Sequence, residues 1–225
     1  MFSLLFLLPG MLLMLWAQFH VKGTYQKYAQ VGSNMGMTGA QVAEKILREM
    51  GITNVSVEPI PGELTDHYDP SAKAVRLSEV VYDSTSLAAA AVAAHECGHV
   101  LQDVQGYKPM NIRAALVPAV GFGSNIGPIL IMLGFGLGAM GGISTLFINI
   151  GILLFSCVVL FHIVTLPVEF DASNRALRLI NDLGILQGEE HRGAKKVLNA
   201  AALTYVATAL YSVLQLIQLL LSRRN

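Results

Sequence analysis

Four long stretches of this chain contain no aspartate, glutamate, lysine or arginine: residues 2–20, 114–140, 143–166 and 198–221. Each comes close to or exceeds the roughly 20 apolar residues that a helix needs to cross the hydrocarbon core of a bilayer. Inside that core the backbone N–H and C=O groups must be satisfied within the segment itself, so the runs are expected to be helices. Apolar residues make up 53% of the chain and charged ones only 13%. That charged share is below the level of an ordinary soluble domain, and the apolar surplus is concentrated in these runs. The expected fold class is mainly α, an integral membrane helical bundle of about four transmembrane helices, forming a single domain over residues 1–225.

The first run is followed, not preceded, by its positive charges (His20, Lys22 and Lys27), which is the reverse of a secretory signal. It reads as a retained anchor with Trp16 near its interfacial end. Gly134 and Gly138 in the second run have the small-xxx-small spacing that lets helices approach closely, and a short uncharged turn joins this run to the third as a helical hairpin. In the last run Thr204, Thr208, Tyr211, Gln215 and Gln218 recur at helical spacing, a polar stripe expected to face other helices. The charges that flank the spans, Lys22, Lys27, Lys108 and Arg113 around one polar stretch and Arg175, Arg178, Lys195 and Lys196 in the other, place both stretches in the cytoplasm by the positive-inside rule. Arg223 and Arg224 at the far end count weakly against that orientation.

The polar stretches are residues 21–113 and 167–197. Lys plus Arg equals Asp plus Glu, and no basic cluster is interleaved with aromatics, which excludes nucleic acid as a partner. Cys97 and Cys157 lie in different segments without the spacing of a disulfide framework and read as free thiols. Thr38 and Gln41 form a capping-box pattern ahead of a helix that Gly51 ends. "NVSVEPI" and "KAVRLSE" alternate as short strands around the turn-rich "PGELTDHYDPS". Asp83 or Ser84 can then cap a helix that runs through an alanine series and "HECGH" to Gly106.

"HECGH" places His95 and His99 four apart, about 40° from each other around a helix. Two imidazoles on adjacent turns can reach one zinc ion at about 2.0–2.1 Å. Glu96 lies on the same side but off the histidine line, so its carboxylate can contact a water without occupying a coordination position. That is the arrangement of a metal-assisted hydrolase, in which the carboxylate takes the water's proton and passes it to the leaving amine. Cys97 points to the opposite side. Gly98 is nearer the metal side, where its missing side chain leaves room for backbone or substrate. The plain alternative is a capped helix with polar residues at its surface, since HExxH does arise by chance. A glutamate buried unpaired among alanines would be costly, however, and this favours a metal.

A catalytic zinc normally has three protein ligands. The candidates for the third are His67, His162, His191, Glu169, Asp171 and the acids of residues 66–69. The hairpin returns the chain to the side it left, so Glu169 emerges on the same face as the HECGH helix and is the best of them. "TLPVEFDASNRAL" reads as a helix beginning near Pro167, a favourable first-turn residue. His162 reads as a bundle-facing polar residue, and His191 as a solvated one.

"AVAAHECGHVLQ", followed at this distance by "LPVEFDASNRAL" and "GAKKVLNAAALTYVA", resembles the YugP-like family of bacterial membrane zinc metallopeptidases. "LTDHYDP" and "VRLSE" match as well, so the resemblance covers nearly the whole chain. It implies a membrane-embedded neutral zinc metallopeptidase of the bacterial cytoplasmic membrane, with one Zn2+ per chain, His95 and His99 as ligands and Glu96 as catalytic acid/base. More distantly the pattern is similar to HtpX-like and CAAX prenyl membrane proteases, in which HExxH is completed by the glutamate of an ExxxD motif. Glu169 matches that glutamate. Ser173 stands where those relatives have an aspartate that supports a ligating histidine, and a hydroxyl can do so only more weakly.

Asp66, Asp69 and Pro70 read as a plain exposed turn. His67 and Tyr68 are candidates for stabilising the oxyanion, as is Arg175 near Glu169. The strand over residues 74–78 offers an edge for an extended peptide. The resulting expectation is a multi-pass zinc metalloendopeptidase with a small α+β zincin-like element on the cytoplasmic face. Peptides or membrane proteins would be cut close to the lipid bilayer. The sequence assigns no oligomeric state. A non-catalytic zinc-binding scaffold is the first rival, with Glu96 arguing against it, and a transporter using His162 and the polar stripe is the second.

Overall fold

The computed structural model describes residues 2–138 and 141–223, so Met140 and Arg224 of the sequence reading lie outside the described residues. In chain order the elements are α1 (Phe2–Ala29), α2 (Gly39–Glu49), β1 (Ser56–Ile60), β2 (His67–Asp69), β3 (Ala74–Ser78), α3 (Glu79–Tyr82), α4 (Leu87–Val104), α5 (Lys108–Gly136), α6 (Gly142–Asp182) and α7 (Gly188–Ser222). Four of these helices, α1, α5, α6 and α7, are long and apolar enough to cross a membrane. The chain divides into two compact units, one of Met1–Trp16, Lys108–Pro167 and Thr204–Asn225, the other of Ala17–Tyr107 and Val168–Leu203.

In the first unit, α5 and α6 form the expected hairpin, through Gly134 of the anticipated pair and through two further glycines, Gly123 and Gly151. A Cβ at Gly134 would lie 2.5 Å from Ile148 Cγ1, one at Gly123 2.6 Å from the Leu154 carbonyl oxygen, and one at Gly151 2.6 Å from Ile131 Cγ1. Gly138 meets nothing within 4 Å, so Gly134 packs and its small-xxx-small partner does not. Ser144 Oγ donates to the Gly134 carbonyl at 2.7 Å, using a side-chain hydroxyl where no water is at hand. On α7, Thr204, Thr208, Tyr211, Gln215 and Gln218 are half-buried, whereas Leu210, Ile217, Leu220 and Leu221 are exposed. The polar stripe is thus partly covered, as are Val213, Leu214, Leu216 and Leu219, while one set of leucines and Ile217 is left exposed.

The helices outrun their apolar runs. α6 has 41 residues, about 60 Å at about 1.5 Å per residue, twice the roughly 30 Å hydrocarbon core. Residue Pro167 lies inside it rather than at the start of a new helix. Loss of one N–H is tolerated there because the flanking side chains are packed: Thr165, Val168 and Glu169 are all buried.

The second unit carries the sheet and the alanine-rich helix. The Thr38 hydroxyl accepts from the Gln41 N–H, and the Gln41 side chain accepts from the Thr38 N–H, so the capping box closes α2 as read. Gly51 leaves the helix at φ +69. The sheet order is β1-β3-β2, with β1 parallel and β2 antiparallel to β3. β2 was concealed in the turn-rich stretch because only three residues pair, and the turn residues surround them. β3 is therefore the central strand with partners on both sides, and the expected peptide pairing along it is excluded. Asp66 and Asp69 are structural acceptors rather than a plain exposed turn. Asp66 accepts from the Ser78 N–H and hydroxyl, and Asp69 from Ser71 N, Ala72 N and Arg76.

α4 starts at its N-cap Ser86, whose hydroxyl accepts from Ala89 N at 3.1 Å. Asp83 instead closes the short α3, so neither Asp83 nor Ser84 caps α4. Val42, Ala43 and Ile46 of α2 are fully buried, as are Ala88, Ala89, Ala91, Ala93 and Ala94 of α4. Small side chains on α4 let its neighbours approach without voids. Gly106, at φ +64, follows its C-terminus as expected.

Candidate metal centre

The site is built where α4 meets α6. Gly98 makes that approach feasible: a Cβ there would lie 2.4 Å from the Ala172 carbonyl oxygen and 3.1 Å from Ala172 Cα. The room that the sequence reading left for backbone or substrate is thus filled by the α6 backbone. Ala172 lies one turn beyond Glu169, so the same close contact carries the Glu169 carboxylate to the two imidazoles. His95 and His99 stack edge to face with ring centroids 4.8 Å apart.

Glu169 Oε2 lies 3.3 Å from His95 Nε2 and 3.7 Å from His99 Nε2. One ligand atom from each residue falls within 4.8 Å of the others, so the three could hold one metal ion. For ligand bonds of about 2.0–2.1 Å, tetrahedral coordination puts ligand atoms about 3.3 Å apart, close to the two measured separations. Glu169 and His99 are buried and His95 is half-buried.

The other ring nitrogens are occupied. Gln102 is completely buried. Its amide Nε2 donates to the Val168 carbonyl at 2.8 Å and to Asp171 Oδ2 at 2.9 Å. Its Oε1 is therefore the atom 3.0 Å from His99 Nδ1, and it accepts the proton that Nδ1 must carry. Ser173 Oγ lies 3.2 Å from His95 Nδ1 and can accept in the same way. Both Nε2 lone pairs are thereby aimed toward the Glu169 carboxylate. Acceptors facing acceptors in a buried site need a cation among them, and this chemistry fits a divalent metal. The field agrees in sign. Burial works against a charged His99, yet its pKa is raised, because hydrogen bonding to Glu169, the charges of Glu96 and Glu169, and Gln102 together outweigh burial.

Gln102 was not singled out from the sequence. Its signal was its spacing, one turn after His99 on the same helix face. Asp171, a third-ligand candidate ranked below Glu169, reaches the site instead through Gln102 and is itself held by Arg175 Nε. Glu96 is buried beside His95 on α4. Cys97 points away as expected, with Sγ 3.7 Å from the Ala43 carbonyl oxygen. Burial, and secondarily the Glu96 charge, pushes its pKa far above the usual thiol range.

The three candidate substrate contacts are differently placed. The Tyr68 hydroxyl donates to Asp103 Oδ2 at 2.7 Å; burial first, then Asp103, keeps its pKa far above normal. The guanidinium of Arg175 joins Asp171 and Gln105 and lies 5.6 Å from the Tyr107 ring centroid. His67 Nδ1 is 2.8 Å from the Thr65 carbonyl. Among the rejected third-ligand candidates, His191 is not solvated but half-buried, with Nε2 3.1 Å from the Leu177 carbonyl oxygen.

The chain thus combines two histidines and a buried glutamate that could hold a metal ion with four helices long and apolar enough to cross a membrane. The family model described as "Putative neutral zinc metallopeptidase" matches residues 3–224, and the chain belongs to this family. It is also 46% identical over 203 residues to "Putative membrane protease YugP" of Bacillus subtilis (strain 168), covering 90% of this chain and 88% of that relative. No solved structure matches the chain.

Proposed function

We propose that the protein is a membrane-embedded zinc metalloendopeptidase that uses one Zn2+ per chain, held by His95, His99 and Glu169. The carrying observation is the convergence of these three donors with both Nδ1 atoms already hydrogen-bonded. Zinc in such a site polarises a peptide carbonyl and makes water a nucleophile near neutral pH. Glu96, one residue from His95 and outside the ligand set, takes the proton from the attacking water and delivers it to the leaving amine. A C–O bond forms, the C–N bond breaks, and the carboxylate is restored. Gln102 and Ser173 orient the imidazoles, and Asp171 holds Gln102. His67, Tyr68 or Arg175 meets the oxyanion by exchanging a present hydrogen bond for one to substrate.

In this reading α2–α4 and the sheet are a zincin-like element on the cytoplasmic face of the bacterial inner membrane, and the whole chain works as one domain. Glu169 follows Leu166, the last residue of an apolar run, by three positions. Substrates are accordingly membrane proteins, or peptide segments presented at the bilayer surface. The test is zinc content and proteolysis of purified wild type, Glu96→Gln and Glu169→Ala. The expected outcome is zinc retained with turnover down about 10²–10⁴-fold in Glu96→Gln, and zinc weakened or lost in Glu169→Ala. Wild type with no zinc would end this reading, and full activity in Glu96→Gln would end the assigned mechanism.

A further inference from the structure

A cavity lined by none of the metal-cluster residues lies elsewhere in the second unit. It has a volume of about 270 Å³ and is lined by His20, Thr24, Lys27 and Tyr28 of α1 and by Lys196, Asn199, Ala200 and Leu203 of α7. The α1 residues recur at i, i+4, i+7 and i+8 and the α7 residues at i, i+3, i+4 and i+7, so each set is one face of its helix. Two lysines line this space, Lys27 with its Nζ 5.7 Å from the Tyr28 ring centroid, and no acidic residue does. Neither Lys27 nor Lys196 forms an ion pair among the described residues. The acids that begin α7 are engaged elsewhere: Glu190 accepts from Asn34 N, and Glu189 pairs with Arg192. Gly193 brings α7 against Tyr28, since a Cβ there would lie 2.9 Å from Tyr28 Cε1.

Like charges in a shared cavity repel, and an anion relieves them. Thr24, Tyr28 and Asn199 add neutral hydrogen-bond donors to the two lysines, while Ala200 and Leu203 supply apolar wall. The depth in the bilayer identifies the anion. His20 closes the first apolar run and Lys196 lies two residues before the last. Trp16, one turn before His20 on α1 and half exposed at 51%, marks the level at which indole rings sit among head groups. Leu12, Leu15 and Phe19 around it are exposed, as lipid-facing side chains are. We propose that this cavity binds the phosphate-bearing head group of an anionic phospholipid, with Lys27 and Lys196 on the phosphate and its acyl chains along the exposed face of α1. Basic pockets between membrane helices are suited to such head groups. The volume is slightly below the about 300–1,000 Å³ of pockets for drug-sized ligands, in keeping with a head group.

Trp16 is the only tryptophan of the chain, so its fluorescence reports lipid at this position. The full-length protein is reconstituted in phosphatidylcholine bilayers doped with equal fractions of brominated phosphatidylglycerol or brominated phosphatidylcholine. Wild type is expected to prefer the anionic lipid, by about fivefold for each lysine. Lys27→Gln with Lys196→Gln should remove that preference, and Lys27→Arg with Lys196→Arg should keep it. Circular dichroism and thermal melts in pure phosphatidylcholine check that each variant folds. Equal quenching by the two lipids in wild type overturns the proposal, as does a preference that survives in the double glutamine variant. In a separate arm, inorganic phosphate is compared with chloride at matched ionic strength. Thermal stabilisation by phosphate without any lipid preference would assign the cavity to free phosphate and overturn the lipid assignment.

Discussion

α4 and α5 are consecutive helices of opposite construction. α4 has 18 residues, of which 14 are buried, including Glu96, His99 and Gln102. α5 has 29 residues, and its buried ones are Gly123, Gly127 and Gly134. One helix hides nearly everything it carries; the other hides only positions that have no side chain. The difference follows from the surrounding medium. Around α4 water is excluded by protein, so polar side chains survive only in hydrogen-bonded sets. In the membrane reading proposed above, the apolar side chains of α5 have a favourable medium in lipid, and attraction between helices comes from close backbone contact at glycine. Chemistry is therefore concentrated on the helix that is packed on all sides.

This contrast can be broken deliberately. The largest effect is expected from metal removal: a zinc chelator should reduce hydrolysis to background, with recovery on adding zinc, while α5–α6 contacts stay intact by cysteine crosslinking across the hairpin. Next is a methyl group at each kind of glycine. Gly98→Ala should cost stability at or above the high end of about 1–3 kcal/mol and strip the metal. Gly134→Ala should destabilise the hairpin but leave zinc content unchanged, and Gly138→Ala should be silent. Retained stoichiometric zinc in Gly98→Ala would dissolve the distinction. Gln102→Leu should weaken zinc about 10–100-fold against a chromophoric competitor, and an unchanged affinity would remove Gln102 from the support of His99.

The smallest expected effect is a pH dependence. Burial alone would raise the Asp103 pKa, but the Lys73 ammonium and the Tyr68 hydroxyl outweigh it and hold the carboxyl below its ordinary 3.8. A folded-state value below the unfolded one adds stability above pH 3.8 that is lost as pH falls through the folded value. Asp103→Asn should therefore melt lower than wild type at pH 6, with the gap narrowing below pH 4. A gap that widens on acidification would contradict this.

The legible parts of the molecule were those in which one residue type has one use. Long uncharged runs can be satisfied in few ways, and four helices of the required length stand where the runs are. His95, His99 and Glu169 were read from spacing and from the count of crossings, and their donor atoms do converge. Elements whose signals compete were harder to see. Pro167 favours a helix start, yet packing carries α6 through it. The three residues of β2 are too few for alternation to show, and their flanking Asp and Pro speak for a turn. Gln102 was not singled out because a glutamine on a helix is usually solvated, and Asp171 was weighed only as a ligand; only the fold shows that these two are bonded to each other. Gly138 had the right spacing but no neighbouring helix at that level.

The 2.4 Å between a hypothetical Cβ at position 98 and the Ala172 oxygen also has a genetic reading. Every missense change of a glycine codon introduces a residue with a Cβ, so position 98 has no conservative neighbour in mutational space. Cys97, fully buried with its thiol against the Ala43 carbonyl of α2, has small neighbours such as serine. A saturation library would show the glycine of "HECGH" frozen and the cysteine open to other small residues. The frozen letter would be one that stands outside the candidate ligand set.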